Sequence, residues 1–179
     1  MPQEDPVGIA IRVIAPHRIR DMVSRSRESV WDYPRPPRIE HDTREVVIVH
    51  RGREIVRTSA AVRVLETSHP PAFYVPIGAI ADGVIVPNSR RTFCEFKGTA
   101  SYLDIVVDGL TTPAVGWTYP DPSAGYEELA GMGSFYAGRL DHCSVGGERV
   151  IPQPGDFYGG WITAEIDGPF KGGEGTRDW

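Results

Sequence analysis

Ser101-Tyr102-Leu103-Asp104-Ile105-Val106-Val107, followed at once by Asp108-Gly109, is an aromatic and β-branched run that stops at a dipeptide suited to a tight primed turn. It reads as a strand entering an antiparallel hairpin, and the chain on either side repeats the pattern. Val46–His50, Arg51-Gly52-Arg53 and residues 54–57 form a second strand, turn and strand. Residues 62–66 read as a third strand, ended by Ser68-His69-Pro70-Pro71, where proline removes ladder donors. A further hairpin turns at Gly146-Gly147, and residues 161–166 read as a last strand before Asp167-Gly168. Twenty glycines and sixteen prolines cut the chain into these short pieces. Helix signals are few. Ile19, Met22 and Val23 have helical spacing within 17–30, and residues 123–130 begin with a serine cap and stop at Gly131. The predicted class is mostly β, antiparallel hairpins around one core with one or two short helices. A doubly wound parallel fold needs alternating strands and long helices, which are missing here.

The 179 residues suit a single structural unit, read as an N-terminal extension (1–45), a core (46–140) and a C-terminal hairpin with a glycine- and aromatic-rich wrap (141–179). The net charge of -5 is uneven. Residues 1–63 hold twelve arginines against nine acids, and the rest holds seven cations against fifteen acids. The acidic part repels phosphates, so no nucleic-acid partner is expected; Arg18, Arg20, Arg25 and Arg27 alternate with acids and serines as on a solvated helix. No apolar run is long enough to span a bilayer, and the first residues lack the core of a secretory signal, so no membrane partner is expected. Cys94 and Cys143 make no Cys-x-x-Cys pair, which points to a reducing cytoplasm.

Two lysines stand against seventeen arginines, and each lies in Phe-Lys-Gly, at Lys97 and Lys171. A compact ammonium that burial can deprotonate does work a guanidinium cannot, so these lysines are the first place to seek chemistry; the plain alternative lays each stem on its neighbouring ring. A repeat is also visible. Trp31-Asp32-Tyr33-Pro34-Arg35-Pro36 and Trp117-Thr118-Tyr119-Pro120-Asp121-Pro122 share Trp-x-Tyr-Pro-x-Pro, which stiffens a segment carrying two aromatics, either as a pocket wall or as a pin onto the core.

Glu66-Thr67-Ser68-His69, the run Thr92-Phe93-Cys94-Glu95-Phe96-Lys97-Gly98, the Asp108-Gly109 turn and Gly116 to Pro122 together resemble a bacterial family known as domain of unknown function 427. Longer, actinobacterial-type members are similar also through the Trp31 phrase and through Asp156-Phe157-Tyr158-Gly159-Gly160-Trp161. The resemblance implies a β-tent, the architecture of B-type methionine sulfoxide reductases and of the ligand-binding domain of cereblon. Relatives of that fold often carry zinc on Cys-x-x-Cys pairs; these pairs are absent, so no metal is expected. The chain departs from the family in having Thr92 where histidine is usual and Glu95 where proline is usual. A nucleotidyltransferase-like label has been attached to the family, yet neither a Gly-rich phosphate loop nor an Asp-x-Asp pair is present.

Glu66, His69, Cys94, Lys97, Tyr102, Trp117 and Tyr119 are the polar and aromatic positions this chain shares with the family block. On a continuous strand, Cys94, Phe96 and Gly98 point one way and Glu95 and Lys97 the other, so Cys94 and Lys97 share a cavity only if the strand is interrupted. Beside aromatics Lys97 would serve as base or carbonyl nucleophile; beside Glu66 it stays charged and clamps an anion. A metal site from His69, His142, Cys94 and Cys143 lacks ligand spacing. Two functions follow. In one, a small enzyme without cofactor uses Lys97, His69 and Glu66 catalytically, with Trp117, Tyr119, Tyr102, Cys94, Trp31 and Tyr33 around a small organic ligand. In the other, an aromatic cage binds a small ligand without turnover. The C-terminal wrap is expected to fold back over the core, or across a twofold to a second subunit, and to bring Lys171 to the cavity rim.

Overall fold

The run from Ser101 lies inside a strand, Gly98–Val107, and the turn that follows has Asp108 at φ 51° and Gly109 at φ 74°, both left-handed as a two-residue primed turn requires. The computed structural model describes residues 25–179. In chain order the strands are β1 (Glu28–Ser29), β2 (Arg38–Asp42), β3 (Val46–His50), β4 (Arg53–Thr58), β5 (Ala61–Leu65), β6 (Ala72–Pro76), β7 (Ile85–Cys94), β8 (Gly98–Val107), β9 (Leu110–Thr118), β10 (Met132–Phe135), β11 (His142–Val145), β12 (Glu148–Arg149), β13 (Ile151–Pro152), β14 (Trp161–Ile162) and β15 (Ile166–Asp167). They form a seven-stranded sheet in the order β2-β5-β6-β10-β9-β8-β7 and a four-stranded sheet in the order β12-β11-β3-β4, with two small pairs besides. Every pair is antiparallel except β1 with β15. The fold is mostly β, with open antiparallel sheets, as the sequence predicts.

The period of two along each strand divides the large sheet into two working faces. Phe73 and Val75 of β6, Ile105 and Val107 of β8, and Phe135 of β10 turn toward the four-stranded sheet, where Val46, Ile48, Val56 and Cys143 complete the main core. Val62 and Val64 of β5, Tyr74 of β6, and Ala100 and Tyr102 of β8 belong to the opposite face, with Trp117 and Tyr119. Trp117 is the direct cross-strand partner of Tyr102. One face therefore stabilises the molecule and the other lines its cavity.

Two local expectations are corrected. Residues 123–130 contain only a 3-10 turn, Glu127–Leu129, because Gly125 sits at φ 90°, outside the right-handed helical region. Residues 161–166 are not one strand. Ile166 N bonds back to Thr163 O in a turn, so β14 pairs with β13 while β15 reaches β1. The helical spacing over 17–30 falls mainly outside the described residues, and at its end Val30–Asp32 form a 3-10 turn.

Candidate functional site

The segment Glu66-Thr67-Ser68-His69 is a turn in which His69 N donates to Glu66 O at 3.0 Å and Ser68 takes φ 70°. The turn converts the Glu-x-x-His spacing into two side chains on one cavity. The first aromatic phrase backs it from behind: Thr67 N donates to Pro34 O, Thr67 Oγ1 to Tyr33 O, and Arg35 Nη2 to Thr67 O. Arg35, held between two prolines, is thereby delivered into the cavity.

β7 ends at Cys94, and Glu95-Phe96-Lys97 form the turn before Gly98, the Cα partner of Cys94. Strand alternation stops there, so Cys94 and Lys97 line the same cavity, contrary to the reading of a continuous strand. Lys97 is 8% exposed, with Nζ 3.8 Å from Glu66 Oε2, while Arg35 Nε lies 3.5 Å from Glu66 Oε1. One carboxylate thus sits between two cations.

The wall comes from the cavity face of the large sheet. Trp117 Nε1 donates to Tyr74 OH at 3.0 Å, and Trp117 packs against Tyr136 with ring centroids 4.8 Å apart. Burial raises the phenols of Tyr74, Tyr119 and Tyr136 above their ordinary range, so they remain protonated. They serve as hydrogen-bonding walls and not as bases.

The C-terminal wrap closes the cavity of about 480 Å³, with Gln153, Tyr158 and Lys171 on its lining. Gln153 organises this side. Its Oε1 accepts from Gly160 N at 2.9 Å, which turns Nε2 toward Lys171 O at 2.8 Å and His69 Nδ1 at 3.0 Å. Nδ1 is therefore an acceptor, and the network assigns the proton of the neutral ring to Nε2. Burial lowers the His69 pKa to about 4, helped by the charges of Lys171, Arg35 and Lys97, so the imidazole is neutral at pH 7. Its ring meets Tyr158 edge-on at 4.5 Å.

The cavity gathers Glu66, His69, Cys94, Lys97, Tyr102, Trp117 and Tyr119. Trp31 and Tyr33 are not on its lining. Trp31 Nε1 donates to Pro169 O and its ring packs edge-on against Trp179, while Tyr33 OH donates to Glu28. They act as a pin for the C-terminal segment, the other use of that phrase. Sequence reasoning missed Arg35, Gln153, Tyr74 and Tyr136. Arg35 had a signal, as one of the two variable residues of the repeat; Gln153 had none. Among the described residues no group of three histidine, cysteine or acidic side chains is placed to hold a metal, and no helix is long and apolar enough to cross a membrane.

The fold and the cavity define an antiparallel β protein with an aromatic-walled, cation-rimmed chamber on one face of its larger sheet. The chain belongs to the family described as Domain of unknown function (DUF427), which matches residues 38–146. That span reaches from β2 to the β11–β12 turn, so it contains the whole seven-stranded sheet and three strands of the four-stranded one, while β12, Arg35, Gln153 and Lys171 lie beyond it. No curated protein matches the chain.

Proposed function

We propose that the protein is an enzyme, independent of a bound cofactor, that moves a proton within a small carbonyl compound held in the aromatic-walled cavity. The observation that carries this reading is His69. A buried imidazole kept neutral, with Nδ1 occupied by Gln153, offers Nε2–H as a fixed donor to a developing oxyanion. Lys97, paired with Glu66, is a second donor, and its ion pair argues against a Schiff base. Glu66 is the carboxylate beside them that can take a proton. In the step proposed, the C–H bond next to the carbonyl breaks toward Glu66, the electron pair becomes a C=C bond, and the carbonyl π pair moves onto oxygen between His69 and Lys97. Glu66 then returns the proton to carbon, so no oxidant or reductant is consumed. The two unpaired thiols, Cys94 and Cys143, suit the reducing cytoplasm as the place of this reaction.

A second reading is favoured by the converging rings: Tyr74 meets Trp117 edge-on at 6.2 Å and Trp117 meets Tyr136 at 4.8 Å, as in a binding cage without turnover. Proton exchange in D2O separates the two. A panel of small ketones and keto acids is incubated with the protein and followed by NMR. Wild type is expected to exchange protons next to one carbonyl, with Glu66→Gln and His69→Gln slower by about 100-fold, and borohydride should trap no adduct. Binding without exchange, unchanged in His69→Gln, would assign the cavity to the cage.

A further inference from the structure

The cavity lining carries two kinds of chemistry. Around His69, Arg35, Lys97 and Lys171 bring three cations, with Glu66 and Glu95 on the same lining. Glu95 and Arg35 are both exposed, whereas Lys97 is buried beside Glu66, and the five charged side chains together leave one cation in surplus. Lys171 Nζ donates to Trp179 O at 2.6 Å and lies 5.8 Å from the Tyr158 ring centroid, a contact that leaves its charge at the rim. His69 offers a donor, not an acceptor, in the same place. Trp117, Tyr74, Tyr119 and Tyr102 present flat, mostly apolar surface on the same cavity. Phe93, 76% exposed, and Phe157, 53% exposed and packed edge-on against Tyr158, also line the cavity.

We propose that the ligand is a flat organic monocarboxylate, its carboxylate at Arg35 and Lys97, which leaves His69 Nε2–H and a further Lys97 donor for the carbonyl oxygen, and its planar body along Trp117 and Tyr119. One negative charge offsets the surplus of one cation that the five charged side chains leave. A second would be buried without a partner, and a neutral isostere would leave the Arg35 and Lys97 donors unpaired. A cationic ligand, which an isolated aromatic cage prefers, is repelled by Arg35 and Lys97. The inference deepens the proposed enzyme by naming its substrate class, and it rests on that reading for the choice of cavity.

The test is calorimetric titration of the full chain with 3-phenylpropanoate, 3-phenylpropanamide and 2-phenylethylammonium, which share a ring and differ in head charge. The carboxylate is expected to bind about tenfold or more tightly than the amide, with the ammonium weakest. Lys97→Met and the more exposed Arg35→Gln should each lose about tenfold for the carboxylate and leave the amide unchanged, and circular dichroism checks that both variants fold. Equal binding of carboxylate and amide overturns the anion assignment and leaves the proton-transfer reading standing. Preference for the ammonium overturns both in favour of the cage. Failure of all three to bind at millimolar concentration overturns the ligand class, while exchange in D2O still decides the enzyme on its own.

Discussion

At the scale of single residues, His69 and Gln153 decide what the cavity can do. A histidine whose folded pKa is about 4, against an ordinary value of 6.5, stabilises the fold fully above 6.5. The unfolded chain takes up a proton that the folded chain refuses, so stability falls as pH drops from 6.5 through about 4. The full effect is on the order of 3 kcal/mol. Replacing the Gln153 amide by a carboxylate supplies an acceptor beside Nδ1 and should raise the His69 pKa by about one to two units. Gln153→Glu is therefore expected to flatten the stability loss between pH 6.5 and 4. Ring NMR titration with urea unfolding at each pH checks this. An unchanged His69 titration would show that Gln153 does not set the imidazole's state.

At the scale of elements, the seam between the C-terminal wrap and the large sheet is closed by glycines. A Cβ at Gly160 would stand 2.5 Å from Pro70 O and 2.6 Å from Gln153 Oε1, and one at Gly159 would run into the Trp117 ring. Gly160→Ala should cost about 1–3 kcal/mol and release the Gln153 amide from His69. Gly78→Ala, where a Cβ meets nothing within 4 Å, is the control and should stay within about 0.5 kcal/mol. Urea midpoints of the two variants measure the difference, and equal midpoints would mean that the wrap is not held by this contact. The same seam explains why part of the site was illegible. Cys94 and Lys97 share the cavity because three residues leave the strand, and Glu66 shares it with His69 because Ser68 takes a left-handed conformation. Neither departure has a glycine or proline at its centre to announce it.

For the whole molecule, the N-terminal part, the large sheet and the C-terminal strand are joined by buried charge. Arg63, 2% exposed, donates to Glu28 at 2.9 Å and to Glu40 at 2.5 Å, and Arg44 links Asp42 at 2.7 Å with Glu165 at 2.5 Å. Burial raises Glu40, Asp42 and Glu165, yet arginine hydrogen bonds at Glu40 and Asp42, and at Glu165 the Thr163 hydroxyl and a backbone N–H ahead of Arg44, outweigh it and hold all three below the usual carboxylate range. Their contribution is present above the ordinary carboxylate pKa and lost as pH falls through the lowered values. Arg63→Leu leaves Glu28 and Glu40 without that partner and should cost on the order of 3 kcal/mol, about 10 °C in Tm. A thermal scan at pH 7 is the measurement, and an unchanged Tm would make the network dispensable.

The residues alone determined the class of fold. Asp108-Gly109, Arg51-Gly52 and Gly146-Gly147 each carry their turn in local backbone preference, and the runs between them have the period of a half-buried strand, so neither needs distant partners to be read. They also marked the two lysines and the second aromatic phrase, which the cavity brings together. Tertiary structure alone decided the rest: that Arg35 and not Trp31 or Tyr33 enters the cavity, that Gln153 fixes the imidazole, and that Lys97 pairs with Glu66. Those outcomes depend on which side chains meet across a fold after burial and charge have been balanced, and such meetings leave no periodic mark in a sequence.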